Sequence, residues 1–517
     1  MIDFSKLRAP EGHGEVLIEP HQSGWLPAAR ANADSLSNAD VCILGEPLRS
    51  WRKKTRQATV GADDCLVFVT GHQPELFHPG VWAKHVVSSR LAEASGGRAL
   101  NLVVDSDVIK QTSLPIPAAE NDRLAVRRVP FVTAAPGCTY EDIPAQSQGQ
   151  IERFRQATVE ALGIRYERTH MPIFFEELAK SPGAKDWTDQ VVGARRAVEA
   201  GFGVALEDQR VSTAWYEPLI LDILLDAPRL AASYNKALAS YRQAARVRGS
   251  GRPVPDLECG ANRCEVPLWA RRSGMARCRL FVERRGDSVA LFADSDTEIG
   301  EISVADVVSC DGGRSLLAAL HGWQLRPRAL VLTMWARLLL ADLFIHGIGG
   351  AKYDRISDTI IDDYYGLTPP YIACASATLH LDLPQRSVTP EAIRSLQHEV
   401  RDLRYNPQRH IDLDDEIAEL VRRRADAVLR SIDLRETDRR NHSARRQAFS
   451  EIRESSAAML ALRTEVTAAM EVKLAARLRD LAESKIARSR EYFFALFDRD
   501  GLMKLAGALP GTRDFLV

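Results

Sequence analysis

Residues 66–85 read LVFVTGHQPELFHPGVWAKH. Leu66 to Val69 is a run of four apolar residues closed by Thr70-Gly71, the pattern of a parallel strand covered on both faces. The chain turns through Pro74 and resumes as a helix at Pro79-Gly80, with Val81, Val86, Val87 and Leu91 along one side and Gly96-Gly97 as a stop. Ala99 to Val104 makes a second apolar strand, ending in Asp105-Ser106-Asp107. A strand, a helix and a strand within about forty residues mark a doubly wound α/β core.

Outward from this unit, residues 150–250 read as mainly helical, with Leu219, Ile223, Leu224 and Leu230 at helical spacing in Tyr216–Ala245 and a loop over Gly249–Pro255. Arg279 to Phe292 reads as a hairpin turning at Gly286-Asp287. The core is expected to resume at Arg328 with one apolar helix over Ala329–Phe344, a connection at His346–Asp354, a helix to Tyr365 and a late strand within Pro370–His380. Beyond Pro390 the composition shifts to Ala, Glu, Arg and Leu. Apolar positions such as Ile417, Leu420, Val428, Ile432, Phe449, Ile452 and Met459 suit two long helices joined near Asp433–Asn441 as an antiparallel coiled coil. The expected division is therefore 1–150 for the first half of the core, 151–327 for a connecting insertion, 328–390 for the second half, and 391–517 for a helical arm and C-terminal segment.

A chain of 517 residues exceeds what one hydrophobic core supports, so two or three units are expected. With 68 basic and 69 acidic side chains the net charge is -1, which argues against recruitment of nucleic acid or anionic membrane; an anionic ligand must be held by a local site. Basic clusters at Arg52–Arg56, Arg422–Arg424 and Arg439-Arg440 read as solvated faces. The N-terminus lacks a secretory pattern, and the longest apolar segment is interrupted by Arg337 and Asp342, so the chain reads as cytoplasmic with no membrane partner. Eight dispersed cysteines then read as reduced thiols. Cys259, Cys264 and Cys278, with distant Cys310, lack the paired C-x2-4-C spacing of structural zinc and read as free.

In open α/β sheets ligands bind outside the carboxyl ends of strands. There the turn after Thr70-Gly71 and the helix start at Pro79-Gly80 would aim backbone N–H groups at an anion, with Lys84 adding a full charge and His72, Gln73 and His78 as hydrogen-bonding groups. The alternative is a turn shaped by Gly71, Pro74, Pro79 and Gly80, with His78 at the helix cap and His85 on a solvated face. The spacing of His72 and His78 does not suit a metal pair. Asp105 and Asp107 alternate at a strand end, where two carboxylates suit magnesium, a substrate amine, or acid and base work. His346, Gly349, Gly350, Lys352, Tyr353 and Asp354 cluster polar groups and glycines after the apolar segment, without the spacing of a Walker-type phosphate loop.

Thr70-Gly71-His72-Gln73 with Leu76 and Lys84, Asp105-Ser106-Asp107, Gly349-Gly350 with Tyr353, and the closing Ser489–Phe494 together resemble the bacillithiol-biosynthesis cysteine-adding enzymes, the cysteine ligase family. His72 stands where that family has its first Gln, which makes the chain resemble a divergent member. The resemblance implies a Rossmann-like core akin to bacterial nucleotidyltransferases and class I synthetases, with insertions and a coiled-coil arm able to form a homodimer. It implies amide formation between an amino acid, cysteine in the family, and an amine such as a glucosaminyl-malate, with ATP (or ADP) and magnesium as the expected cofactors. Activation through an acyl-adenylate or acyl-phosphate would assign catalytic roles to His72, Lys84, Asp105 and Asp107. Two alternatives remain open: a nucleotidyltransferase acting on a small molecule, and a nucleotide-binding scaffold that dimerises through its arm.

Overall fold

The computed structural model describes residues 4–61, 64–120, 123–180, 183–244, 254–294, 296–309, 317 and 320–516. The expectations at Cys310 and over most of Gly249–Pro255 lie outside them. The chain is a mixed α/β protein in two units, one of residues 1–116, 127–381 and 490–517, the other of 117–126 and 382–489.

Val67, Phe68 and Val69 have no exposed surface because their strand lies in the middle of a six-stranded sheet. In chain order the strands are β1 (Val16–Glu19), β2 (Val67–His72), β3 (Arg98–Val103), β4 (Glu207–Arg210), β5 (Leu343–His346) and β6 (Ile372–Ala377). Their order across the sheet is β1-β6-β5-β2-β3-β4, parallel except for β1. The chain thus moves from β2 outward through β3 and β4, then returns to the other side of β2 for β5 and β6. In open α/β sheets the loops at the strand ends part at such a reversal, which here lies between β2 and β5. Residues 207–210, within the segment read as an insertion, supply a strand of this sheet.

Helix α1 (Pro79–Ser95) covers one face and is buried nearly all round. His85 therefore does not face solvent. It is fully buried, its Nδ1 2.7 Å from Glu199 on α2 (Trp187–Ala200). The apolar segment after Arg328 is not one helix. It runs Ala329–Trp335, finishes in a π turn at Ala336–Leu340 and becomes β5, which leads straight into α3 (Ile348–Tyr365). A continuous apolar run does not distinguish a buried helix from a buried strand. The break falls at buried Asp342, which accepts from the Val67 N–H at 2.7 Å and pairs with Arg52 and Arg56. These arginines, four apart on one helix face, are buried as counter-ions and not solvated. The helical spacing after Tyr216 corresponds to two helices, Glu217–Leu225 and Ala227–Ala244, divided at Asp226.

A second, antiparallel sheet of five strands contains the hairpin Cys278–Arg285 and Ser288–Ala293, turning at Gly286-Asp287. Beside it Cys259 and Cys264, expected as free thiols, are joined in a disulfide; Cys42, Cys65, Cys138, Cys278 and Cys374 are free. Among the described residues no helix is long and apolar enough to cross a membrane.

The second unit is built on helices, chiefly Pro390–Tyr405, α4 (Asp415–Thr437), α5 (His442–Leu462) and α6 (Thr464–Ala487). After a turn at residues 438–441, α5 packs along α4, with Leu403, Ile411, Ile417 and Met459 as its core. Ile432 and Phe449, expected in the seam, are more than half exposed or close to it, at 50% and 59%. Residues 490–517, grouped with the arm as its C-terminal segment in the expected division, belong to the sheet-bearing unit, where Phe494 stacks on Phe77 and Trp82 and donates its N–H to the Phe77 carbonyl.

Candidate functional site

Lys84, one turn into α1, projects into the crevice between β2 and β5. Its Nζ donates to the Gly71 carbonyl at 2.8 Å, and a Cβ placed on Gly347 would lie 3.8 Å from its Cδ. It is almost fully buried, and among the described residues no carboxylate pairs with it; burial lowers its pKa to about 8. A buried cation held by a dipole alone is set to receive an anion.

His72 ends β2. Its Nδ1–H donates to the Gln73 carbonyl at 3.0 Å, and burial, reinforced by the charge of Lys84, pushes its pKa down to about 3. The ring is therefore neutral near pH 7 with Nε2 as an acceptor, so the expected donor to an anion is an acceptor instead. Gln73 donates to Asp107 at 2.9 Å.

His78 caps α1, its Nδ1 accepting from the Gly80 N–H at 3.0 Å. Glu491 lies 3.6 Å from Nε2, yet burial and the charges of Arg490 and Lys84 bring His78 down to about 3, so that contact is not an ion pair. Gly80 is required here: a Cβ would lie 2.3 Å from Arg490 Nη2 and 2.8 Å from the Ala377 carbonyl. Arg490 thereby reaches the helix start and donates to Ser376 Oγ at 3.0 Å.

Across the reversal, the expected connection at His346–Asp354 is a strand end and a helix start. His346 ends β5 and donates Nε2–H to Asp354 Oδ2 at 2.9 Å; that oxygen also accepts from Arg337 at 2.8 Å. Against the burial that would raise it, Arg337 and His346 hold Asp354 down to about 2. Gly350 presses on the ring, since a Cβ there would lie 2.6 Å from His346 Nδ1. Gly349 faces open space in the same helical turn. Lys352 and Lys84 both act on the buried Cys374 thiol of β6, which burial nonetheless pushes up to about 12, leaving it protonated and unreactive. Tyr353 turns away to pack on Tyr241.

Asp105 and Asp107 do not work as a pair. The strand ends at Val103, so the alternation expected of them is lost. Asp105, fully buried, accepts from Arg210 Nε, the Ser212 N–H and Ser212 Oγ, which ties β3 to the end of β4. Asp107, although burial opposes it, is held below its ordinary value by Gln73, Arg277 and Lys110. Neither fits a magnesium ion, and among the described residues no group of three or more His, Cys, Asp or Glu is placed to hold a metal.

Contacts and electrostatic coupling thus link Gly71, His72, His78 and Lys84 with Gly80, Arg490 and Ser376 at the α1 start, and His346, Gly350 and Asp354 at the α3 start, with Cys374 felt by both Lys84 and Lys352. Arg490 lies in the closing segment Ser489–Phe494, whose mixture of cation and aromatics was the one signal available; nothing local marked Asn101 or Ser376. No protein-family model and no curated protein matches the chain.

Proposed function

We propose that the crevice between β2 and β5 binds an anionic phosphate group and that the chain is a ligase-like enzyme joining an amino acid to an amine-bearing small molecule in the cytoplasm. The observation that carries the anion site is Lys84, buried without a counter-ion where the strand order reverses. Arg490 and the N-termini of α1 and α3 add to the positive field at the same strand ends. The strand order, read from β4 as 3-2-1-4-5, supports the Rossmann-like reading. The long packed pair α4 and α5 supports the coiled-coil arm as the surface for a homodimer.

When bound, ATP would supply the group that activates the amino-acid carboxylate. Lys84 and the α1 amides would hold its phosphate oxygens, in a site whose dipoles are fixed before the ligand arrives. His346, oriented by Asp354 and Arg337, would form the opposite wall. Magnesium has no role in this reading, because the carboxylates expected to hold it are engaged elsewhere.

The test is calorimetric titration of the full chain with ATP, ADP and pyrophosphate, followed by mass analysis of mixtures of ATP, amino acids and amines. Phosphate or pyrophosphate release coupled to an amide product is expected. Pyrophosphate release without an amide would favour a nucleotidyltransferase, and a crevice inert to all three anions would favour a scaffold.

A further inference from the structure

One ring nitrogen of His346 is fixed by its surroundings and the other is left bare. Asp354 is 2% exposed, and Arg337 and His346 hold its pKa down to about 2, so it is a carboxylate that can only accept. Its Oδ2 takes a bond from Arg337 at 2.8 Å and lies 2.9 Å from His346 Nε2, which therefore carries a proton. In the neutral ring Nδ1 is then the lone-pair nitrogen. Arg337, fully buried, reaches this place from the π turn at Ala336–Leu340 and also donates to Asp358 and to the Pro370 carbonyl. The carboxylate behind the ring is thus held from its far side.

A histidine that only caps a helix accepts an N–H of the first turn, as His78 Nδ1 does from Gly80 at the start of α1. His346 Nδ1 accepts none: among the described residues it has no hydrogen-bond partner, although the side chain is buried. The space in front of it is kept by a glycine. A Cβ on Gly350 would lie 2.6 Å from Nδ1, and the three atoms nearest to that Cβ outside the backbone of α3 all belong to the His346 ring, while Gly350 itself is exposed. The missing side chain leaves a notch over Nδ1. The amides of Ile348, Gly349 and Gly350, the first of α3, are also without partners among the described residues, so free donors lie in the same turn as the bare acceptor. A ring oriented through one nitrogen by a buried carboxylate, with the other nitrogen bare, is the arrangement of a general base.

We infer that His346 Nδ1 is the general base of the amide-forming step. The inference rests on the ligase reading proposed above. In that step the amine nitrogen bonds to the activated acyl carbon, the bond from that carbon to its leaving oxygen breaks, and the electron pair departs on that oxygen. One proton of the amine passes to Nδ1, and Asp354 stabilises the imidazolium that results.

The experiment uses the full chain. With 15N-labelled histidine, NMR should find the proton of neutral His346 on Nε2; a proton on Nδ1 would overturn the inference. The chain is then given ATP and mixed amino acids with either hydroxylamine or a panel of methylamine, ethanolamine and glucosamine, and hydroxamate and amide products are measured by mass. Hydroxylamine, uncharged at neutral pH and unusually nucleophilic, captures an activated acyl group without a base. His346→Gln should therefore lower amide formation about a hundredfold more than it lowers hydroxamate formation, the scale of general base catalysis. Asp354→Asn, which donates where the carboxylate accepts, should move the ring proton to Nδ1 and give the same split. Equal loss of both products in His346→Gln, loss of neither, or hydroxamate without amide from the unmodified chain would overturn the base. No hydroxamate from the unmodified chain would overturn the ligase reading instead, so the two failures are distinguishable.

Discussion

Lys84 Nζ lies 2.8 Å from the Gly71 carbonyl and donates to it from a position that burial has removed from water. An anion bound there restores the charged form, so its affinity depends on the lysine proton. With the free-state pKa lowered to about 8, pyrophosphate affinity should be full below that value. It should fall by up to about tenfold per pH unit above it, until the bound-state pKa is reached. Calorimetry across this range checks it. Lys84→Arg, permanently charged, should flatten the profile, and Lys84→Ala should weaken binding at least about tenfold. A profile indifferent to Lys84 would remove the proposed anion site.

Two neighbouring glycines should respond differently to one methyl group. Gly349→Ala meets open space in the first turn of α3 and should be neutral or stabilising by up to about 1 kcal/mol. Gly350→Ala drives a Cβ to 2.6 Å from His346 Nδ1, and the ring cannot yield easily because Asp354 holds its other side. That variant should stay folded, shift the His346 ring resonances and weaken ligand binding. Parallel NMR spectra of the two variants decide it.

Acid should destabilise the sheet-bearing unit through His72 and His78. Both folded pKa values are depressed to about 3 from the ordinary 6.5, so between those values the unfolded chain binds more protons. The stability they contribute is complete above pH 6.5 and is lost as the pH falls toward 3, by about 2 kcal/mol per histidine at pH 5. Urea unfolding midpoints at neutral and acidic pH should show a smaller loss for His72→Gln, and for His78→Asn, which keeps a capping side chain.

Asp342→Asn should destabilise by about 3 kcal/mol, because it leaves Arg52 and Arg56 buried without a counter-charge. Arg422→Ala, in a basic cluster whose Glu419 partner is exposed, should change stability by less than about 0.5 kcal/mol. Chemical denaturation of both variants tests the contrast.

That contrast also shows where the sequence was and was not readable. The β2–α1–β3 unit was legible because period and punctuation agreed: apolar runs, Pro79 at the helix start, Gly96 at its stop. Arg52 and Arg422 look alike as charge runs, and only the arrival of Asp342 from 290 residues away separates a buried pair from a solvated one. The same long-range dependence hid β5 inside an apolar run, Arg490 beyond the helices, and Asn101 between Leu100 and Leu102. The position of Lys84 one turn into a helix was legible because it follows from the local pattern alone. Asp105 was misread because its partners, Arg210 and Ser212, come from β4 and the residues after it.

The return of residues 490–517 to the sheet-bearing unit has a consequence for synthesis. Phe77 and Trp82 emerge from the ribosome some four hundred residues before Phe494, the aromatic ring that stacks on both. Arg490 likewise arrives at the α1 start only after the whole of α4, α5 and α6 has been translated. The start of α1 therefore gains the Phe494 ring and the Arg490 charge together, only after the intervening helices have been made.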